Sequence, residues 1–270
     1  MRRRHSMLII LLSLMVAGAH AKEIDRTTGR VAGMKPGFTP LPEVEGPATN
    51  VLWDLTHGVY FDYEPTGDFS ELVAMLANNA YVVSTTAAGI DNVDLAPYDI
   101  LVISLGSAWN SPYTASEVTA IQGFVASGKG VLVMAENANA PNANIQPITE
   151  AFGTTCGVST LDTFGITFSN FAAHPIFSGV SAVTYSFAGE LDGTTPSVEA
   201  AFTDTNQPTV TVIGPCSMVV TGDISFCING LLTYGDNERF TRNIFDALSG
   251  RICTVGVQPS TWGALKVRYR

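Results

Sequence analysis

Asp54 and His57 stand three residues apart, directly after the apolar stretch Val51-Leu52-Trp53. A carboxylate beside an imidazole at a strand end can bind a ligand, or move a proton if the acid orients the ring. Two more polar pairs follow short apolar runs: Ser107 with Trp109 after Ile100–Ser104, and Glu136 with Asn137 after Val131–Ala135. Asp223 follows a fourth run, Met218–Thr221. Together these carboxylates and amides would accept and donate hydrogen bonds to hydroxyl groups or hold a hard cation such as calcium, while Trp109 offers a flat apolar face to a sugar ring. They call for no organic cofactor and no other metal. Each also has a plainer role, as a turn former, a loop anchor or, for Trp109, a cover for the core.

Such residues need a scaffold that brings strand ends together. The runs Val51–Leu55, Tyr81–Ser84, Asp99–Ser104 and Val131–Ala135 read as buried strands. Helical periodicity separates them. Phe69, Leu72, Val73 and Leu76 share one face, with Asp68 and Glu71 as a capping box; Val118, Ile121 and Val125 share another, capped by Thr114 and Glu117 and ended by Gly128. Asn144–Phe152 predicts a short third helix with Pro147 in its first turn. Strands alternating with helices predict an α/β fold, flavodoxin-like and doubly wound, with a mainly parallel sheet in the order 2-1-3-4 and helices on both faces. Between Thr154 and Pro208 the pattern loosens into a β-rich irregular insertion, with strand-like pieces near Val183–Phe187 and Val198–Phe202. Val210–Ile213 and Met218–Thr221 then form a closing pair of strands, and Asp236 caps a last helix that turns Phe240, Ile244 and Leu248 inward and stops at Gly250. Ligand crevices in open α/β sheets lie beyond the carboxyl ends of the strands, where the strand order reverses, so the first and third strands should flank it.

Composition narrows the partners. The chain has 270 residues, 46% hydrophobic and 14% charged, with a formal net charge of -10; that is enough apolar material for one large α/β domain and excludes disorder. Residues 1–21 read as a cleaved signal peptide, with Arg2, Arg3 and Arg4, an apolar run from Met7 to Ala17 and Ala19-His20-Ala21 as the cleavage site; an uncleaved anchor is the alternative. This predicts a secreted, cell-surface or periplasmic protein. The mature chain would keep 11 basic residues against 24 acids, a balance of -13. Nucleic acid and anionic lipid are therefore poor partners, and no membrane span follows the signal; an extracellular protein or carbohydrate suits better. Residues 22–50 are a Pro-rich linker, 51–250 the domain, and 251–270 a linker and basic tail. Cys156, Cys216, Cys227 and Cys253 allow one or two disulfides in an exported chain, with no C-x-x-C spacing to suggest zinc.

The stretch Val51-Leu52-Trp53-Asp54-Leu55-Thr56-His57-Gly58 resembles the class I glutamine amidotransferase-like superfamily, in the branch that includes the GIFT-type domains of intraflagellar transport proteins. Tyr98–Ile103, Glu117 with Phe124–Val133, His174-Pro175, Val219–Asp223 and Asp236–Phe240 extend the resemblance over about 200 residues. It implies a flavodoxin-like sheet that often lacks an enzyme's residues. True amidotransferases carry a cysteine nucleophile on a strand-to-helix elbow, supported by a later histidine and acid. Here Glu136-Asn137-Ala138-Asn139 follows the fourth strand, Cys156 comes only after the next helix, and no histidine follows His174. The expected function is thus a secreted, non-catalytic module that binds a ligand or partner through Asp54, His57, Ser107, Trp109, Glu136, Asn137 and Asp223. One alternative is an extracellular carbohydrate hydrolase using His57 with Asp54 and Glu136. Another is a structural cell-surface component. The tail Thr261-Trp262-Gly263-Ala264-Leu265-Lys266 is similar to short C-terminal tags of some secreted bacterial proteins, which would make Trp262, Lys266 and Arg268 its anchors.

Overall fold

Every residue of Ile100–Ser104 and of Gly130–Met134 is buried. Strands with no polar face belong in the middle of a sheet covered on both sides, and that is where the computed structural model places them. It describes residues 48–106, 111–161, 164–193, 197–202 and 207–253. Ser107, Trp109, the segment 1–21 and the tail with Trp262, Lys266 and Arg268 lie outside the described residues.

The main sheet has eight strands. In chain order they are β1 (Thr49–Asp54), β2 (Tyr81–Thr86), β3 (Ile100–Ser104), β4 (Gly130–Met134), β7 (Asn170–Phe171), β10 (Ser197–Phe202), β11 (Pro208–Ile213) and β12 (Met218–Thr221), arranged β2-β1-β3-β4-β12-β11-β10-β7. The first five in that order run parallel. The last three continue the sheet antiparallel. The predicted order 2-1-3-4 and the β-rich insertion are both present: two small two-stranded antiparallel sheets, β5 (Thr154–Thr160) with β9 (Gly189–Gly193) and β6 (Phe164–Phe168) with β8 (Val183–Ser186), lie within residues 154–193.

Helices α1 (Ser70–Ala77), α2 (Ala115–Ala126), α3 (Gln146–Ala151) and α4 (Asn237–Leu248) cover the sheet. The β1-to-β2 and β3-to-β4 crossings step in opposite directions, so right-handed connections put α1 and α2 on opposite faces. Trp53, Phe69, Phe226, Phe240 and Phe245 are among the largest fully buried side chains. Phe177, Phe240, Phe226 and Tyr185 form a run of rings 5.3–5.7 Å apart that joins α4 to the insertion.

Two predicted caps differ. Thr114 and Glu117 do close a capping box on α2. Asp68 and Glu71 do not on α1: Phe69 holds the N-cap position without a side-chain hydrogen bond. Asn229, 158 residues away, supplies the cap instead, accepting from the Glu71 backbone N–H at 2.8 Å and donating to the Gly67 carbonyl and the Ser70 hydroxyl. Asp236 precedes α4 as expected, but its carboxylate turns away to accept from the backbone N–H groups of Ser181 and Ala182 at 2.6 and 3.2 Å, tying down the insertion. Of the cysteines, Cys216 and Cys253 are bridged, and Cys156 and Cys227 are buried free thiols. No helix among the described residues is long and apolar enough to cross a membrane.

Candidate functional site

Asp54 is the last residue of β1, Gly106 follows β3, Glu136 follows β4 and Asp223 follows β12, so all four stand on the carboxyl edge of the parallel strands. Adjacent strands are about 4.8 Å apart, and this spacing sorts the acids into two groups. Asp54 and Glu136 are two strands apart, whereas Glu136 and Asp223 sit on neighbouring strands whose register pairs Met134 with Thr221.

In the first group, Asp54 is buried. One carboxylate oxygen accepts from the Thr56 backbone N–H at 2.9 Å, and the other from the Tyr113 hydroxyl at 2.5 Å. His57 meets neither Asp54 nor Glu136. Its Nδ1 lies 2.8 Å from the Ser111 carbonyl oxygen, its Nε2 lies 3.1 Å from Glu117, and its ring lies 3.9 Å from that of Tyr113. Both ring nitrogens are thus engaged by oxygen atoms of the chain itself. The partner is Glu117 because the capping box turns that carboxylate back over the start of α2, where it accepts from the Thr114 N–H and hydroxyl at 2.8 and 2.9 Å. Burial alone would raise the Glu117 carboxyl; Thr114 and His57 outweigh it and hold the group below its ordinary value. The β3 end must pass close by, since a Cβ on Gly106 would lie 2.5 Å from the His57 carbonyl oxygen.

In the second group, burial and then the neighbouring Asp223 charge push the Glu136 carboxyl well up, against hydrogen bonds from the Asn137 N–H and amide at 2.9 and 3.1 Å. Burial likewise raises Asp223, although Ser225 and the Ser186 N–H donate to it. Two ring hydroxyls feel the same charges. Tyr60 and Tyr63 are raised by burial and then by the Glu136 charge, and Tyr63 also by Asp223. Between them in the chain is Phe61, 68% exposed and in the left-handed region at φ 52°, with its ring 4.4 Å from Tyr60 and 5.7 Å from Tyr63.

The 3₁₀ turn Asn142–Asn144 links the two groups. The Asn142 amide oxygen accepts from the Glu136 N–H at 3.0 Å, and its nitrogen donates to the carbonyls of Glu136 and Asn137; Asn144 accepts from the N–H groups of Ser111 and Tyr113. Among the described residues, the three potential metal ligands that converge are His174, Cys216 and Cys253, which lie outside this edge. Both free thiols are buried and pushed up by burial, Cys156 to about 11.

Sequence reasoning missed Tyr113, Ser111, Tyr60 and Tyr63 and read Glu117 as a cap and a point of family resemblance, not as a partner of His57. The capping box was the one signal that could have found Glu117, since it fixes where that carboxylate points.

No protein-family model matches the sequence, and no curated protein does. Solved structures do. The N-terminal domain of mmIFT52 superposes with a TM-score of 0.62 at 16% identity, covering 74% of this chain and 97% of that one. A glutamine amidotransferase from Thermotoga maritima superposes at 0.52 with 9% identity, covering 77% and 100%. A ThuA-like protein from Parabacteroides merdae gives 0.50 with 12% identity, covering 77% and 92%. The chain therefore has the glutamine amidotransferase-like fold, a parallel sheet wound on both faces and extended by an antiparallel insertion.

Proposed function

We propose that this chain is a non-catalytic amidotransferase-like module of the GIFT-type branch, exported by its N-terminal 21 residues, that binds its ligand at the carboxyl edge of the sheet. The observation that carries this reading is the turn after β4. An acyl-transfer elbow needs a nucleophile there and free backbone amides to hold an oxyanion. The residues present are Glu136 and Asn137, and the N–H of Glu136 is donated to Asn142 while that of Asn137 is donated to the Glu136 carboxylate. His57 is engaged on both nitrogens by its own chain, which suits an anchor better than a base. The likeness in fold to the mmIFT52 domain supports the branch.

The ligand class follows from the second group of acids. Exposed Phe61 with Tyr60 and Tyr63 gives an aromatic cluster within electrostatic reach of Glu136, whose carboxyl is held well above its ordinary value by burial and by the Asp223 charge. Flat apolar faces beside hydrogen-bonding groups suit a neutral sugar. Thermal unfolding with neutral mono- and disaccharides, calcium and short peptides tests this. A sugar at 100 times its Kd should stabilise the fold by about 2.7 kcal/mol, and Phe61→Ala should remove the effect. Ammonia release from glutamine, or a panel without any shift, would overturn the reading. The second reading, a carbohydrate hydrolase, draws on the raised Glu136 carboxyl as its acid; sugar turnover abolished in Glu136→Gln would establish it instead.

A further inference from the structure

The Cys216–Cys253 bridge lies away from the carboxyl edge, joining the turn between β11 and β12 to the chain just after α4. Its two sulfurs are unequal. Cys216 is 4% exposed, whereas Cys253 is half-buried, so an incoming thiolate has better access to Cys253. His174 lies on the Cys216 side, with Nε2 3.6 Å from its Sγ. The ring is oriented by its own backbone: Nδ1 accepts from the Ile176 N–H at 3.4 Å, which leaves the proton of the neutral imidazole on Nε2, facing the sulfur. Burial holds His174 below its ordinary value, in keeping with a neutral ring.

We propose that Cys253 is a site of covalent modification by low-molecular-weight thiols, with Cys216 as the leaving group and His174 as the positioned donor that receives it. A thiolate RS⁻ attacks Cys253 Sγ, the R–S–S–Cys253 bond forms as the Cys216–Cys253 bond breaks, and the electron pair leaves on Cys216 Sγ, where the His174 N–H donates to it. No net oxidation occurs. Exchange is faster when the departing thiolate is stabilised, and accessibility and the hydrogen bond select the same direction here. The three ligand atoms lie within 4.8 Å of one another, so a reduced Cys₂His metal site is the competing use. The Ile176 hydrogen bond opposes it, because a metal on Nε2 would require the proton on Nδ1, facing another donor.

Incubating the folded full chain with glutathione, quenching by alkylation and mapping by mass spectrometry tests the proposal. Glutathione should appear on Cys253 and the alkyl group on Cys216, and His174→Ala should slow the exchange about tenfold. His174→Gln, whose amide keeps an N–H donor, should exchange faster than His174→Ala, a readout that loss of packing alone would not give. Glutathione on Cys216, equal labelling of both, or no exchange short of unfolding would overturn the proposal. So would stoichiometric zinc retained by the reduced protein and lost in His174→Ala. If His174→Ala does not fold, the labelling pattern of the unaltered chain decides.

Discussion

The Tyr113 hydroxyl donates to the Asp54 carboxylate at 2.5 Å. It ties the end of β1 to the residue before the α2 cap, and its ring lies against His57. With the Thr56 N–H on the other oxygen, this contact leaves both Asp54 carboxylate oxygens engaged by the chain itself.

Tyr113→Phe leaves a buried carboxylate oxygen without its donor. The cost should be about 1–3 kcal/mol, measured by urea unfolding with an unchanged m-value. A loss within the error of the unaltered protein would show that the bond contributes nothing to stability.

Glu117 is held below its ordinary value, so its contribution is present above the unfolded glutamate pKa, about 4.3, and fades as pH falls through the lower folded value. Glu117→Gln should therefore be less stable than the unaltered chain at pH 6, with the gap closing below pH 4. A gap independent of pH would contradict the lowered Glu117 carboxyl.

Glu136 is displaced the other way. An acid raised in the folded state holds its proton there while the unfolded chain releases it, so stability falls with rising pH from about 4.3 upward. The slope approaches about 1.4 kcal/mol per pH unit for one such group. Glu136→Gln keeps an acceptor for Asn137 and should flatten this dependence, making the variant more stable than its parent at pH 7. Parallel stability curves for the two proteins from pH 5 to 7 would contradict the acid pair.

Gly222 has no room for a side chain: an added Cβ would meet the Gly189 carbonyl oxygen at 2.0 Å, where the Gly189 N–H donates to the Gly222 carbonyl at 2.6 Å. Gly222→Ala should cost about 3 kcal/mol or more, read by thermal unfolding, and should part β9 from the end of β12. A variant as stable as its parent would show that β9 can shift freely.

Buried thiols with raised values are inert. Cys156 and Cys227 should resist a thiol reagent in the native protein at pH 8, and both should react on unfolding. Rapid native labelling of either would show that the surrounding core opens.

The fold was legible where burial left a simple record. Ile100–Ser104 and Val131–Ala135 are continuous apolar runs because helices cover both faces, and the Thr114–Glu117 box was legible because a cap lies within four residues. The Asp68–Glu71 box misled because the amide it would have capped is taken by Asn229 from the far end of the chain. The insertion was read only coarsely: its strands are short and rich in Gly and Thr, and it is tied down by distant partners such as Asp236, about 55 residues from Ser181.

The amino-acid order alone determined which residues end the parallel strands, since strand tips follow from local hydropathy and turn chemistry. It placed Asp54, Glu136 and Asp223 at one edge and His57 just beyond the first strand. Only the tertiary structure decided the pairings. His57 joined Glu117, 60 residues on, instead of Asp54 or Glu136, and Glu136 neighboured Asp223 instead of Asp54. The physical reason is spacing: neighbouring strands bring groups to within about 4.8 Å and alternate strands to about twice that, and although the order of the first four strands follows from their βαβ connections, the place of β12 beside β4 is set only when the whole sheet assembles.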